Sequence, residues 1–267
     1  MTSSTPKVAA AAFRSQHGLG TAPVRDLRGI VEDFPGVDLA VLKMPSWIDG
    51  MTVKDPDTGV ALLAVSTSDV PERQRFTIAH ELGHLVLEEL SQGVPDHTRS
   101  PMEMRMDGFA RHFLIPEEGL VQALRSRGRT RLRLEVEDLS EVVREFGVSP
   151  MTACIQLLSI RWITSETKNA WASWTAPRLA TRFGWANERE ADVLAARTEQ
   201  PFRRIVANAT EAYLSGRLPL AAVARARGTD DIDGLEREFQ EAGLYPVPDE
   251  QAGTGFADID ALLGDGA

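Results

Sequence analysis

Two histidines four residues apart, with a glutamate directly after the first, form the pattern His80-Glu81-Leu82-Gly83-His84 inside the run RFTIAHELGHLVLE at 75–88. On a helix, side chains four apart lie one above the other, so His80 and His84 can offer two imidazoles to one ion. HExxH is the pattern that holds zinc in peptidases, where the glutamate acts as general base. Glu81 sits one position round from His80, so it flanks the metal and is free to take a proton from water rather than to ligate. The competing reading is a chance match on an ordinary helix, with both histidines as plain core or surface residues.

Two imidazoles need a third protein ligand. The metzincin pattern HExxHxxGxxH is excluded, because Leu87 and Leu90 occupy its Gly and His positions. Glu103, with Asp107 four residues on, matches the other common arrangement: a helix-borne Glu ligates, and a carboxylate one turn later orients a ligating His through its second ring nitrogen. His97 is the reserve ligand. Two structural alternatives stand beside this. Ser100-Pro101-Met102-Glu103 also reads as a capping box, and Asp107 can pair with Arg111. His112, nine positions beyond Glu103, lies about half a turn round a helix and points away from the metal face.

The elements that must position these groups are legible nearby. The HExxH segment has Ser68 and Asp69 as N-cap candidates, Pro71 for the first turn and no breaker before Gly93. Phe76, Ile78, Ala79, Leu82, Leu85, Val86 and Leu87 make it apolar on nearly every side, which predicts a buried helix whose few polar residues need partners. Upstream, short apolar runs at 37–42, 50–53 and 60–65, with Asp55-Pro56-Asp57-Thr58-Gly59 between the last two, predict a small sheet with a tight turn. Residues 60–66 are the candidate substrate-aligning edge strand, the alternative being a plain core strand. Downstream, a loop at 93–97 leads to a second helix opening at Ser100-Pro101 and running to about Ile115.

The 267 residues suggest two or three modules, and an apolar content of 43% supports packed cores. A single cysteine, Cys154, excludes a disulfide framework. There is no charged-then-apolar leader and no run long enough to cross a bilayer, so the expected location is cytoplasmic, without a membrane partner. A net charge of -10 argues against general nucleic-acid coating, although a local basic patch stays possible.

RFTIAHELGH followed by ExxxDxFARxFLIP at 103–116, with a short sheet before them, resembles the ImmA/IrrE metallopeptidases over roughly residues 23–165. Arg105-Met106 departs from the acidic-Ala pair usual there, and Asp107-Gly108 from Asn-Arg, Asp being an accepted variant. The resemblance implies a zinc-dependent endopeptidase with His80, His84 and Glu103 as Zn(2+) ligands and Glu81 as base. It also implies a protein substrate, a transcriptional repressor of the helix-turn-helix kind.

Beyond Pro116 the chain turns basic, with Arg125, Arg127, Arg129, Arg131 and Arg133 at alternate positions, read as a solvated strand face. Apolar segments at 136–146 and 151–160 around Gly147-Val148-Ser149-Pro150 follow helix-turn-helix grammar. The second of them offers only Thr152, Gln156 and then Arg161 as a reading surface, so a structural or partner-docking pair is favoured over nucleic-acid contact. Helical segments are expected at 182–197, 201–215 and 218–227. The spacing Leu139, Val142, Arg144, Gly147 recurs as Leu220, Val223, Arg225, Gly228, suggesting a second, degenerate pair. Trp162, Trp171, Trp174 and Trp185 read as interdomain core. After Pro246 the sequence turns Gly- and Asp-rich and is expected to fray, with 259–263 able to dock.

The expected protein is therefore α+β: a flexible leader (1–22), a zincin-like metallopeptidase core of small sheet and active-site helices (23–120), a helix-turn-helix-like segment (121–168) and a helical C-terminal region (169–267). The alternative function is a catalytically silent regulatory module that keeps the peptidase fold and binds DNA or protein. Glu81 separates the two, since a retired peptidase has no need of a base.

Overall fold

The computed structural model describes residues 5–89 and 100–247. His97 and the docking segment at 259–263 lie outside the described residues. The chain divides into two compact units, residues 1–200 and 201–267.

The first unit opens with α1 (Pro6–Gln16) and α2 (Leu27–Glu32), followed by β1 (Val37–Leu42), β2 (Gly50–Lys54) and β3 (Ala61–Ser66). Then come α3 (Pro71–Val86), α4 (Pro101–Leu114), α5 (Glu117–Ser126), α6 (Val136–Phe146) and α7 (Pro150–Ser159). The unit closes with α8 (Ser165–Trp171), α9 (Ala176–Phe183) and α10 (Ala186–Arg197). The second unit holds α11 (Arg203–Leu214), α12 (Leu220–Arg227) and α13 (Ile232–Glu241).

The sheet order is β1-β3-β2, with β1 parallel and β2 antiparallel to β3. This corrects the expectation for 60–66: β3 is the central strand, both of its edges already bonded, and cannot align a substrate. The open edge belongs to β2. Ser66 N–H bonds to Asp49 C=O and Asp55 N–H to Val60 C=O. Because bonded and non-bonded pairs alternate in an antiparallel ladder, Met51 and Val53 also turn their peptide groups to β3, while Gly50, Thr52 and Lys54 turn theirs outward.

Part of the expected leader, α1, packs into the core. Ala9, Ala10 and Phe13 of α1 are buried, and the Phe13 ring meets Phe109 and Phe113 of α4 edge-on at 6.4 and 5.6 Å. Arg14 is buried with them and donates to the carbonyls of Gly20, Ala22 and Phe113. Burial pulls its guanidinium down to about 10.

The arginine stripe is no strand. Arg125 lies in the last turn of α5, Arg127 caps that helix and pairs with Glu145 at 2.6 Å, and Arg129 reaches the buried Asp138 at 2.5 Å. Between the next two helices, α6 ends at Gly147 in the left-handed region (φ 61°), and Ser149 caps α7. Gln156, expected on a reading surface, is turned inward and donates to Ile115 C=O at 2.9 Å. The helix expected over 182–197 breaks at Gly184 (φ 80°), which separates α9 from α10. No boundary falls near 120 or 168, because the apolar faces of α6 to α9 join the same core as the sheet, α3 and α4. Trp162, Trp171 and Trp185 are buried in that core, and Trp174 lies under the guanidinium of Arg178 at 4.1 Å.

In the second unit α12 also ends in a left-handed glycine, Gly228 (φ 72°). Val223, Ala224, Leu235 and Phe239 form its core, with the Tyr213 ring edge-on to Phe239 at 5.5 Å. Among the described residues, no helix is long and apolar enough to cross a membrane.

Candidate metal centre

Helix α3 is a buried helix clamped at its N-terminal half. Neither Ser68 nor Asp69 caps it: Val70 holds that position without a side-chain bond, Ser68 Oγ accepts from Val70 N–H, and Asp69 pairs with Arg197. Its first turns are fixed by side chains instead. Glu72 pairs with Arg189 of α10, both largely buried, and Gln74 donates to the carbonyls of Ser66 and Ala196. Arg75 donates to the carbonyls of Val24 and Gly147. Burial lowers the Arg75 guanidinium, and Asp192 and Glu72 oppose that.

The helix stops earlier than Gly93. Leu87 is its C-cap, Glu88 is left-handed (φ 54°), and Glu89 N–H bonds back to His84 C=O at 3.0 Å. This is a Schellman-type end with Glu where Gly is usual. The reversal carries Glu89 C=O to His84 Nδ1, 2.6 Å away. A carbonyl only accepts, so Nδ1 carries the proton, which leaves Nε2 as the nitrogen turned toward the cluster.

Helix α4 faces this one closely. A Cβ on Gly83 would stand 3.1 Å from Phe109 Cδ1 and 3.3 Å from Met106 Sδ, so glycine lets the two helices approach. Ser100 Oγ accepts from Glu103 N–H. The Glu103 carboxylate turns instead to the imidazoles: Oε2 lies 2.9 Å from His80 Nε2, and Oε1 3.7 Å from His84 Nε2. Asp107 Oδ1 accepts from His80 Nδ1 at 3.0 Å. His112 points elsewhere, where Gln156 donates to its Nδ1 at 3.3 Å. Burial lowers His112 to about 4.

One donor atom from each of His80, His84 and Glu103 lies within 4.8 Å of the others. Their chemistry fits a divalent cation. With His84 Nδ1–H committed to a carbonyl, Nε2 is the ring nitrogen left to face the Glu103 carboxylate, and these two groups are of the kind that ligate one cation together. Burial alone would lower His80, but the Asp107 hydrogen bond and the carboxylates of Glu81 and Glu103 outweigh it and hold the imidazole above its ordinary value.

Glu81 is only 8% exposed. Its carboxyl is raised by burial, against which the Thr52 hydroxyl, donating to Oε2 at 2.7 Å, favours the charged form. Thr52 is the residue the sequence reading missed. Strand parity puts Gly50, Thr52 and Lys54 on one face, but nothing local says which face meets α3. A cavity of about 400 Å³ opens at the N-terminal end of this arrangement, with Ile48, Asp49, Val70, Arg73 and Thr77 in its wall. A larger one of about 830 Å³ is lined by residues such as Glu117, Val121 and Arg131 and contains none of the groups above.

Residues 36–158, a little under half of the chain, match the profile of the IrrE N-terminal-like domain. The α+β architecture, a three-stranded sheet among many helices, is consistent with an IrrE-like zincin domain followed by helices. The radiation response metalloprotease IrrE of Deinococcus radiodurans is 31% identical over 143 residues, which cover 51% of this chain and 40% of that protein. This chain thus spans well under half of its relative's length. A solved structure described as a Mycobacterium tuberculosis transcriptional regulator aligns with 57% of this chain and 46% of its own, at 21% identity and a TM-score of 0.41, too distant to carry an argument.

Proposed function

We propose that the chain is a zinc-dependent endopeptidase that hydrolyses a peptide bond in a specific protein partner. The observation that carries this reading is the convergence of His80, His84 and Glu103 within 4.8 Å beside the buried carboxyl of Glu81. His80 and His84 would ligate through Nε2 and Glu103 through its carboxylate, with Asp107 and the Glu89 carbonyl holding the two rings in the right tautomer. A zinc ion held there by three protein groups acts as a Lewis acid and lowers the pKa of water to about 7.

The remaining chemistry falls to the chain. Glu81 takes the proton of the attacking water and returns it to the leaving amine, and its burial suits it to hold that proton in between. The outward peptide groups of Gly50, Thr52 and Lys54 offer an extended substrate an antiparallel partner beside the base. The resemblance described above supports a helix-turn-helix repressor as that substrate, in place of general proteolysis. Direct nucleic-acid binding by this chain gains no support from α7, whose Gln156 is buried.

The test is to co-express the chain with a repressor encoded beside it, as wild type and as Glu81→Gln, and to measure bound zinc in both. Fragments with wild type alone, at equal zinc content, are the expected result. Equal fragmentation in both rejects Glu81 as base. Stable binding without cleavage in either, with zinc loaded, selects the silent regulatory module.

A further inference from the structure

We infer that Thr52 is a positioning residue for the general base: its hydroxyl fixes one oxygen of the Glu81 carboxylate, so that the other is the one presented to water. The inference rests on the reading of Glu81 as base. Thr52 Oγ1 lies 2.7 Å from Glu81 Oε2, within charge-assisted hydrogen-bond range. A carboxylate with two equivalent oxygens and three rotatable bonds has many orientations open to it, and a proton can be taken only in the few that aim a lone pair at the reacting water. One directional donor on a strand selects among them.

A second observation places the same strand against the same side chain. Gly50 is two residues before Thr52 and so shares its face. A Cβ there would stand 2.6 Å from Thr77 Cγ2, 3.0 Å from Glu81 Oε1 and 3.1 Å from Glu81 Cγ. The strand therefore lies directly on Glu81 at two successive positions of one face, with the hydroxyl of one holding Oε2 and the missing side chain of the other leaving room for Oε1. These residues also turn their peptide groups to the open edge. One strand thus aims the base and offers the edge on which a substrate would align, which sets the distance between base and scissile carbonyl through a single rigid element.

Thr52→Val keeps the shape of the side chain and removes the donor; Thr52→Ser keeps the donor. The probe is a peptide chosen from a random pool because the zinc-loaded wild type cuts it. Thr52→Val should lose about 10- to 100-fold in kcat with KM changed by less than about twofold, as expected when an aligned group is misplaced rather than a binding contact removed. Zinc content should not change, and Thr52→Ser should restore most of kcat. Equal kcat for Thr52→Val and wild type, or equal losses for Val and Ser, overturns the inference. Cutting no better than Glu81→Gln rejects Glu81 as base; should the pool hold no substrate for so selective an enzyme, crystal structures decide on Thr52 alone. A Glu81 carboxylate displaced in Thr52→Val and retained in Thr52→Ser supports it; an unmoved carboxylate in both overturns it.

Discussion

Helices α3 and α4 supply the same cluster, yet they hold their groups by opposite means. On α3, His84 and Glu81 are 6% and 8% exposed, and the first turns are locked by Glu72, Gln74 and Arg75 to α10, the sheet and the turn at Gly147. On α4, the Glu103 and Asp107 side chains are 29% and 60% exposed, and what aims them is the imidazole each one faces. One helix is a rigid template and the other a partner completed by contact. Substitutions on α3 should therefore abolish, whereas substitutions on α4 should weaken.

The largest effect expected is from His80→Ala combined with His84→Ala, which should take zinc from one ion per chain to none, read by elemental analysis. Unchanged zinc in that variant would remove the metal site altogether. Glu81→Gln should come next: full zinc content with turnover reduced by about 10²- to 10⁴-fold, the usual share of a general acid-base group.

For α4, Glu103→Gln should lower zinc content without emptying the site, whereas a Glu103 that only capped its helix would leave it intact. Asp107→Ala should weaken zinc by about 10- to 100-fold, the cost of losing an orienting acceptor on a ligating imidazole. Wild-type zinc affinity in that variant would return Asp107 to a surface role beside Arg111. If Glu103→Gln emptied the site as completely as the histidine pair, the contrast between template and partner would be lost.

Spacing between the two helices offers a subtler lever. Gly83→Ala puts a methyl group against Phe109 and Met106, and overpacking of this kind costs about 1–3 kcal/mol. Denaturant unfolding should show it, together with weaker zinc binding, because Glu103 is carried away from the histidines. Glycine-level stability with unchanged zinc affinity would show that the contact gives way locally.

The smallest effect lies on the far side of α4, where burial lowers His112 to about 4 from its ordinary 6.5. A base whose folded pKa is depressed binds its proton more readily unfolded, so its contribution is complete above about 6.5 and is lost as pH falls toward 4. His112→Gln should flatten this part of the stability curve while leaving zinc affinity near neutral pH unchanged. A curve of the same slope in the variant would assign the acid sensitivity to other groups.

Much of this was determined by the sequence alone, because the information is local. HExxH spacing sets two imidazoles on one helix face, Glu103 and Asp107 are one turn apart on the next helix, and strand and helix spans at 37–42 and 136–146 follow from periodicity and turn residues. What only the tertiary structure decided is non-local. The order β1-β3-β2 gives the open edge to β2 and withholds it from residues 60–66, since pairing is chosen among strands and not within one. The end of α3 at Glu88 carries no glycine signal, yet it brings Glu89 C=O to His84. Arg127 and Arg129 are anchored in ion pairs with α6, and Gln156 is a buried donor, because partners far along the chain supply the charge and the acceptor. Thr52 is the clearest case: a threonine in a short strand has no local mark of function, and it acquires one only when packing lays that strand across a buried carboxylate on α3.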